Sequence, residues 1–260
     1  MEVLQRPGGE LATRPIHFFW VVDCSGSMYG EKIGIVNNTI QECIPEMRSA
    51  ADNNPNAQLL IRALQFSSGA SWITSSPVPV EDYGWEDMDA NGLTEMGKAF
   101  DLLAAQLSIP PMPERALPPV IVLLSDGQPT DDYKKSMEKL KKLPWFRKAV
   151  KIAISIGQDA DDEVLIEFAG NKELVLQANN ATALAKMIKW ASTTASMVSA
   201  PSSKPMNSVA ASTPASASGA SVAASVPADD PFAPANNGAP LVLDMSNIPN
   251  PDDFDEGAVW

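Results

Sequence analysis

Phe18-Phe19-Trp20-Val21-Val22-Asp23-Cys24-Ser25-Gly26-Ser27-Met28 sets a carboxylate and two hydroxyls at alternate positions directly after five apolar residues. A run this apolar reads as a strand buried on both faces of a parallel sheet, so the oxygen-bearing cluster falls at the strand's carboxyl end. Open α/β sheets place their ligands there. One Asp and two Ser, with no neighbouring His and no reactive Cys, favour a hard divalent cation. Oxygen-only ligation suits Mg²⁺, Mn²⁺ or Ca²⁺ rather than Zn²⁺.

Working outward, strands and helices alternate. After a strand at about 16–22, Ile33, Val36, Ile40, Ile44 and Met47 recur at three- and four-residue spacing and predict a helix over 31–52, kinked at Pro45. Ala57–Phe66 and Ala70–Thr74 flank Ser67-Ser68-Gly69 and read as a hairpin. A helix over Leu93–Leu107 follows, then a buried strand over Pro119–Ser125 that ends at Asp126-Gly127. The remaining elements are helix Asp131–Leu143, strand Ala149–Ile156, helix Asp161–Ala169, short strand Leu174–Gln177 and helix Thr182–Ala195. Such alternation predicts an α/β fold, a mostly parallel sheet with helices on both faces. In the doubly wound order 3-2-1-4-5-6, the first and fourth strands are neighbours where the winding reverses. The loops at Asp23 and Asp126 then line one crevice, which Thr94 also reaches. Five oxygen-bearing side chains converge there: Asp23, Ser25, Ser27, Thr94 and Asp126.

The composition divides the 260 residues into an N-terminal arm (1–14), a domain (15–195), a Ser/Ala/Pro-rich linker (196–240) and an acidic, aromatic end (241–260). The linker has Lys204 as its one basic residue and no aromatic before Phe232. It lacks the apolar surface needed to offset ordering entropy, which predicts a disordered tail. The N-terminal residues lack the pattern of a signal peptide. No run of ~18 apolar residues exists to span a bilayer. A cytoplasmic location is the expectation. Cys24 and Cys43 are separated by about 20 Å of helix, too far for a disulfide, and should be free thiols.

The set Asp23-x-Ser25-x-Ser27, Gly92-x-Thr94 and Ser125-Asp126-Gly127 resembles the metal-ion-dependent adhesion site of von Willebrand factor A domains, in order and spacing across 15–195. Ser-Asp-Gly-Gln-Pro-Thr-Asp-Asp (125–132) and Lys-Trp-Ala-Ser (189–192) resemble the bacterial TerY-like, tellurium-resistance branch. The resemblance implies a Rossmann-like six-stranded sheet with one antiparallel edge strand. It implies that Ser25, Ser27 and Thr94 contact the cation directly or through water, with Asp23 and Asp126 binding through water or orienting the others. It further implies a non-enzymatic module in bacterial stress response or phage defence. Its partners would include a serine/threonine kinase and a metal-dependent phosphatase, and one partner would supply an acidic side chain to the metal.

Other readings compete. Asp-Cys-Ser-Gly-Ser alone could be a strand-to-helix turn capped by Ser27. Gly92 to Ala99 nearly matches a phosphate-binding loop, but Ala99 replaces the metal-holding hydroxyl. A serine hydrolase fails because His17, the single histidine, lies about 20 Å along the strand from Asp23. A metal-dependent phosphatase or nuclease would want carboxylates bound directly to the metal and a general base. A scaffold assembling through its tail is a third alternative. Trp72 and Trp85 read as packing residues or as an aromatic rim to the crevice.

The net charge of −13 conceals an asymmetry. Lys134, Lys135, Lys139, Lys141, Lys142, Arg147, Lys148 and Lys151 are opposed within their stretch by Glu138 alone, whereas 229–260 carries seven carboxylates and no Lys or Arg. The acidic remainder of the chain would repel phosphates, so nucleic acid is not the expected partner. Asp252, Asp253, Phe254, Asp255 and Trp260 suggest a recognition peptide, able to dock on a partner, on Lys134, Lys135 and Lys139, or at the metal.

Overall fold

The first strand, β1 (Arg14–Asp23), is buried from Ile16 to Asp23. Its alternating side chains feed two cores. Phe18, Trp20 and Val22 pack with Ile33, Val36, Ile40 and Met47, while Phe19 and Val21 pack with Phe100 and Leu103. A strand so apolar on both faces is stable only between two helical layers. In this computed structural model, residues 14–52, 57–126, 128–157, 160, 162–189, 222–224 and 241–243 are described.

After β1 come α1 (Glu31–Asp52), β2 (Ala57–Ser67), β3 (Gly69–Trp72), β4 (Val78–Pro79), α2 (Met96–Gln106), β5 (Val120–Ser125), α3 (Tyr133–Lys142), α4 (Pro144–Lys148), β6 (Val150–Ile156), α5 (Asp162–Ala169) and β7 (Val175–Ala178). The sheet order is β3-β2-β1-β5-β6-β7, with β4 paired to β2. β1 runs parallel to β2 and to β5, and β6 and β7 extend the parallel run, while β3 is antiparallel at the edge. Leaving aside the short β4, this is the doubly wound order expected from the sequence. α1 and the helical segment 181–189 cover one face, and α2 to α5 cover the other.

The structure refines several boundaries. α2 begins at Met96 rather than Leu93, because Thr94 N–H donates to Thr130 Oγ1 and Glu95 N–H to Ser67 O, which holds this stretch out of the helix. The expected helix over 131–143 begins at Tyr133 and is followed by α4, which starts on Pro144. Proline lacks the N–H needed to extend α3 but is preorganised for a first turn. β4 is an addition to the expected elements; two residues carry no readable alternation, yet Val78 and Pro79 pair antiparallel with Ile61 and Leu60. Pro45 lies inside α1.

Val222–Ala224, within the stretch read as linker, pairs antiparallel with Leu241–Leu243. The rest of 190–260 lies outside the described residues, and so do the expectations placed on Asp252, Asp253, Phe254, Asp255 and Trp260. Among the described residues, no helix is long and apolar enough to cross a membrane.

Candidate metal centre

β1 and β5 are hydrogen-bonded neighbours, with Val22 opposite Leu124, so Asp23 and Asp126 leave the sheet side by side. Asp23 is fully buried. Its Oδ1 accepts from Ser25 N–H at 2.9 Å and its Oδ2 from the Ser125 hydroxyl at 2.6 Å. Ser25 Oγ lies 3.0 Å from Ser27 Oγ, and Ser27 Oγ donates to Asp126 Oδ1 at 2.7 Å. Four of the five predicted side chains thus form one continuous polar array. Ser27 is exposed on the single turn Gly26–Met28, whereas Ser25 and Asp126 are buried.

Thr94 is brought alongside by backbone. Asn91 N–H donates to Cys24 O at 2.8 Å and Gly26 N–H to Gly92 O at 3.0 Å, which ties the loop before α2 to the turn after β1. Gly92 has φ +80°, and a Cβ there would lie 2.5 Å from Ser68 Oγ, so this close approach requires glycine. Thr94 exchanges two hydrogen bonds with Thr130, through N–H to Oγ1 at 3.1 Å and O from N–H at 2.9 Å. Three loops therefore converge on one point.

Two members of the site escaped the sequence reading. Asp131 caps α2 from a distant loop, Oδ1 accepting Gly97 N–H at 3.0 Å and Oδ2 Lys98 N–H at 3.2 Å. Nothing local signals this, because capping patterns are read within one helix. We expect Asp131→Ala to lower stability by about 1 kcal/mol, as for other lost caps. Because Thr130 positions Thr94, the same variant should weaken metal affinity. Denaturant midpoints and calorimetric titration would show both effects. The other missed residue is Lys32, whose Nζ lies 2.6 Å from Asp126 Oδ2.

Burial sets the electrostatics of the crevice. Burial pushes the Asp23 carboxyl up to about 6 against the pull of its Ser125 and Ser25 hydrogen bonds, and the nearby Asp126 pushes the same way. The donors of those bonds are neutral, and they offset only part of the cost of burying the charge. Burial also pushes the Cys24 thiol up to about 12, which leaves it a protonated packing residue against Met88 rather than a thiolate ligand. Cys24 and Cys43 are both buried free thiols. Among the described residues there is no cluster of three or more His, Cys, Asp or Glu side chains placed to hold a metal. The donors available in the crevice are two carboxylates and hydroxyls, a set that fits an oxygen-ligated divalent ion.

The remaining expectations sort by packing. Trp72 lies over the Arg62 guanidinium at 4.1 Å and tilts against Phe19, and Trp85 Nε1 donates to Asn37 Oδ1, so both pack against the fold rather than rim the crevice. In the basic stretch, Lys139 pairs with Asp101, and Lys141 with Glu167 and Glu138. Lys148 is buried, and burial pulls Lys151 down to about 8 as it donates to Phe146 O and Ala149 O. Lys134, Lys135, Lys142 and Arg147 keep the exposed charge.

The family model of the von Willebrand factor type A domain matches residues 19–190, and the chain belongs to that family. No curated protein matches it. Among solved structures it is similar to the ArnB paralog VWA2 of Sulfolobus acidocaldarius (18% identity, TM-score 0.52, covering 68% of this chain and 45% of that one). It is also similar to a von Willebrand factor type A protein of Catenulispora acidiphila (16% identity, TM-score 0.52, covering 71% and 43%). A third likeness is to proximal thread matrix protein 1 of the mussel byssus, solved with zinc in its MIDAS motif (18% identity, TM-score 0.50, covering 72% and 47%). At such identities the likeness is one of fold, and this chain spans less than half of each of these proteins.

Proposed function

We propose that the chain is a metal-dependent protein-interaction module. A divalent cation, Mg²⁺ or alternatively Mn²⁺ or Ca²⁺, would be held by Ser25, Ser27 and Thr94, with Asp23 and Asp126 orienting them or reaching it through water. What carries the reading is the hydrogen-bonded array from Asp23 through Ser25 and Ser27 to Asp126, with Thr94 locked alongside. Ligation mainly by uncharged hydroxyls leaves positive charge on the cation and an open position, which an Asp or Glu of a partner would complete. The mussel protein's zinc-occupied motif is a precedent for a metal on this fold.

The rim narrows the partner. Tyr29 is 79% exposed and Leu93 56%, and these large apolar side chains stand on the two loops joined by the Gly26–Gly92 hydrogen bond. A partner carboxylate with an apolar side chain beside it would engage both. Asp252-Asp253-Phe254-Asp255 has that character, so the segment 241–260 is a candidate occupant as well as a candidate recognition peptide.

By its TerY-like resemblance the module would belong to a cytoplasmic stress or phage-defence set. There it would act as a non-enzymatic adaptor between a serine/threonine kinase and a metal-dependent phosphatase. Capture of the partner from the native host should be lost in EDTA and with Thr94→Ala alike. A partner retained at wild-type strength by Thr94→Ala in EDTA would move the interface away from the crevice.

A further inference from the structure

Lys32 is the second residue of α1, where the helix dipole disfavours a cation. It nevertheless reaches into the crevice. Its Nζ donates to Asp126 Oδ2 at 2.6 Å, and the side chains are 18% and 2% exposed, respectively. The ammonium also lies over the backbone at the end of β6, where a Cβ on Gly157 would come within 3.3 Å of Nζ. Asp126 thus divides its oxygens between this ammonium and the Ser27 hydroxyl.

A tethered positive charge on a carboxylate of the cation site has two consequences. It neutralises Asp126, which would otherwise be a buried carboxylate without a charge partner. It also opposes any second cation drawn to the same carboxylate, because like charges a few ångströms apart in a partly buried site repel strongly. We propose that Lys32 is a built-in competitor for the divalent cation. It holds Asp126 in the metal-free protein and weakens metal binding below what the oxygen ligands alone would give, so that loading of the site depends on the free metal concentration. The inference rests on the metal reading of the crevice.

The test is calorimetric titration of the full chain with MgCl₂ or MnCl₂ alone, comparing wild type, Lys32→Met and Lys32→Arg, together with thermal melts in EDTA and in saturating metal. Met keeps the stem and removes the charge. Lys32→Met should bind metal at least about tenfold more tightly, a fraction of what the removed repulsion allows, and Lys32→Arg, which keeps the charge, should not. In EDTA, Lys32→Met should melt below wild type, and saturating metal should close the gap. Metal binding by Lys32→Met alone would support competition at its limit. Equal or weaker binding by Lys32→Met, or a melting deficit that metal does not close, would overturn competition and leave the metal assignment standing. Absence of metal binding in all three proteins would overturn both.

Discussion

Asp23→Asn is expected to abolish the response to divalent cations and, at pH 7.5 in EDTA, to make the protein more stable by about 2–3 kcal/mol. Asp23 is fully buried, and its carboxyl is raised from 3.8 to about 6, chiefly by burial. A folded-state value above the unfolded one means that the native protein holds the proton more tightly. This group's contribution therefore falls as pH rises through about 4 to 6, and the full cost stands above that window, at about 1.4 kcal/mol for each tenfold change in proton affinity. Asparagine removes the charge while keeping the shape. Its oxygen can accept from Ser25 N–H, and the Ser125 hydroxyl can turn to accept from its amide, so neither partner is orphaned. The carboxylate thus costs stability in the metal-free state for a charge that only a cation makes favourable. Urea midpoints with and without MgCl₂ would decide. A variant no more stable than wild type in EDTA, or one still stabilised by metal, would sink the account.

The fold was legible because the two central strands are apolar on both faces. Phe18–Val22 and Val120–Leu124 read as buried parallel strands, and the acidic residue after each marked where the crevice lies. The polar array of Asp23, Ser25, Ser27 and Asp126 was likewise readable, since these residues follow the two central strands. What stayed hidden depends on contacts between distant loops: Asp131 capping α2, and Thr130 clamping Thr94. Lys32 left one trace, a cation in the first turn of a helix, where the helix dipole disfavours it. The basic stretch misled in part because charge counted along the chain ignores partners across it. Glu167 and Asp101 lie outside the stretch, yet each takes one of its lysines.

His17 should give the second large effect. His17→Phe is expected to stabilise the protein by about 1–3 kcal/mol at pH 7, the usual cost of buried polar groups left unsatisfied. The imidazole is buried on β1 and stacked on Phe19 at 5.9 Å, and among the described residues neither ring nitrogen has a hydrogen-bond partner. Burial lowers its pKa from 6.5 to about 4. A base depressed in the folded state binds fewer protons there than in the unfolded chain, so stability from this group is fully present above about 6.5 and is lost as pH falls towards 4. Asp23 runs the opposite way over nearly the same window, gaining stability as pH falls from about 6 towards 4. In metal-free wild type the two contributions largely offset. Each substitution should unmask the other: Asp23→Asn should become steeply acid-sensitive below pH 6, while His17→Phe should hold up in acid relative to wild type. Urea midpoints in EDTA at pH 4.5, 5.5 and 7, compared as differences from wild type, cancel the titration of every other carboxylate. If both variants track wild type in parallel across that range, neither group carries the burial cost assigned to it. If only His17→Phe departs, the cost belongs to the histidine alone, and the Asp23 carboxylate already has its charge compensated without a metal.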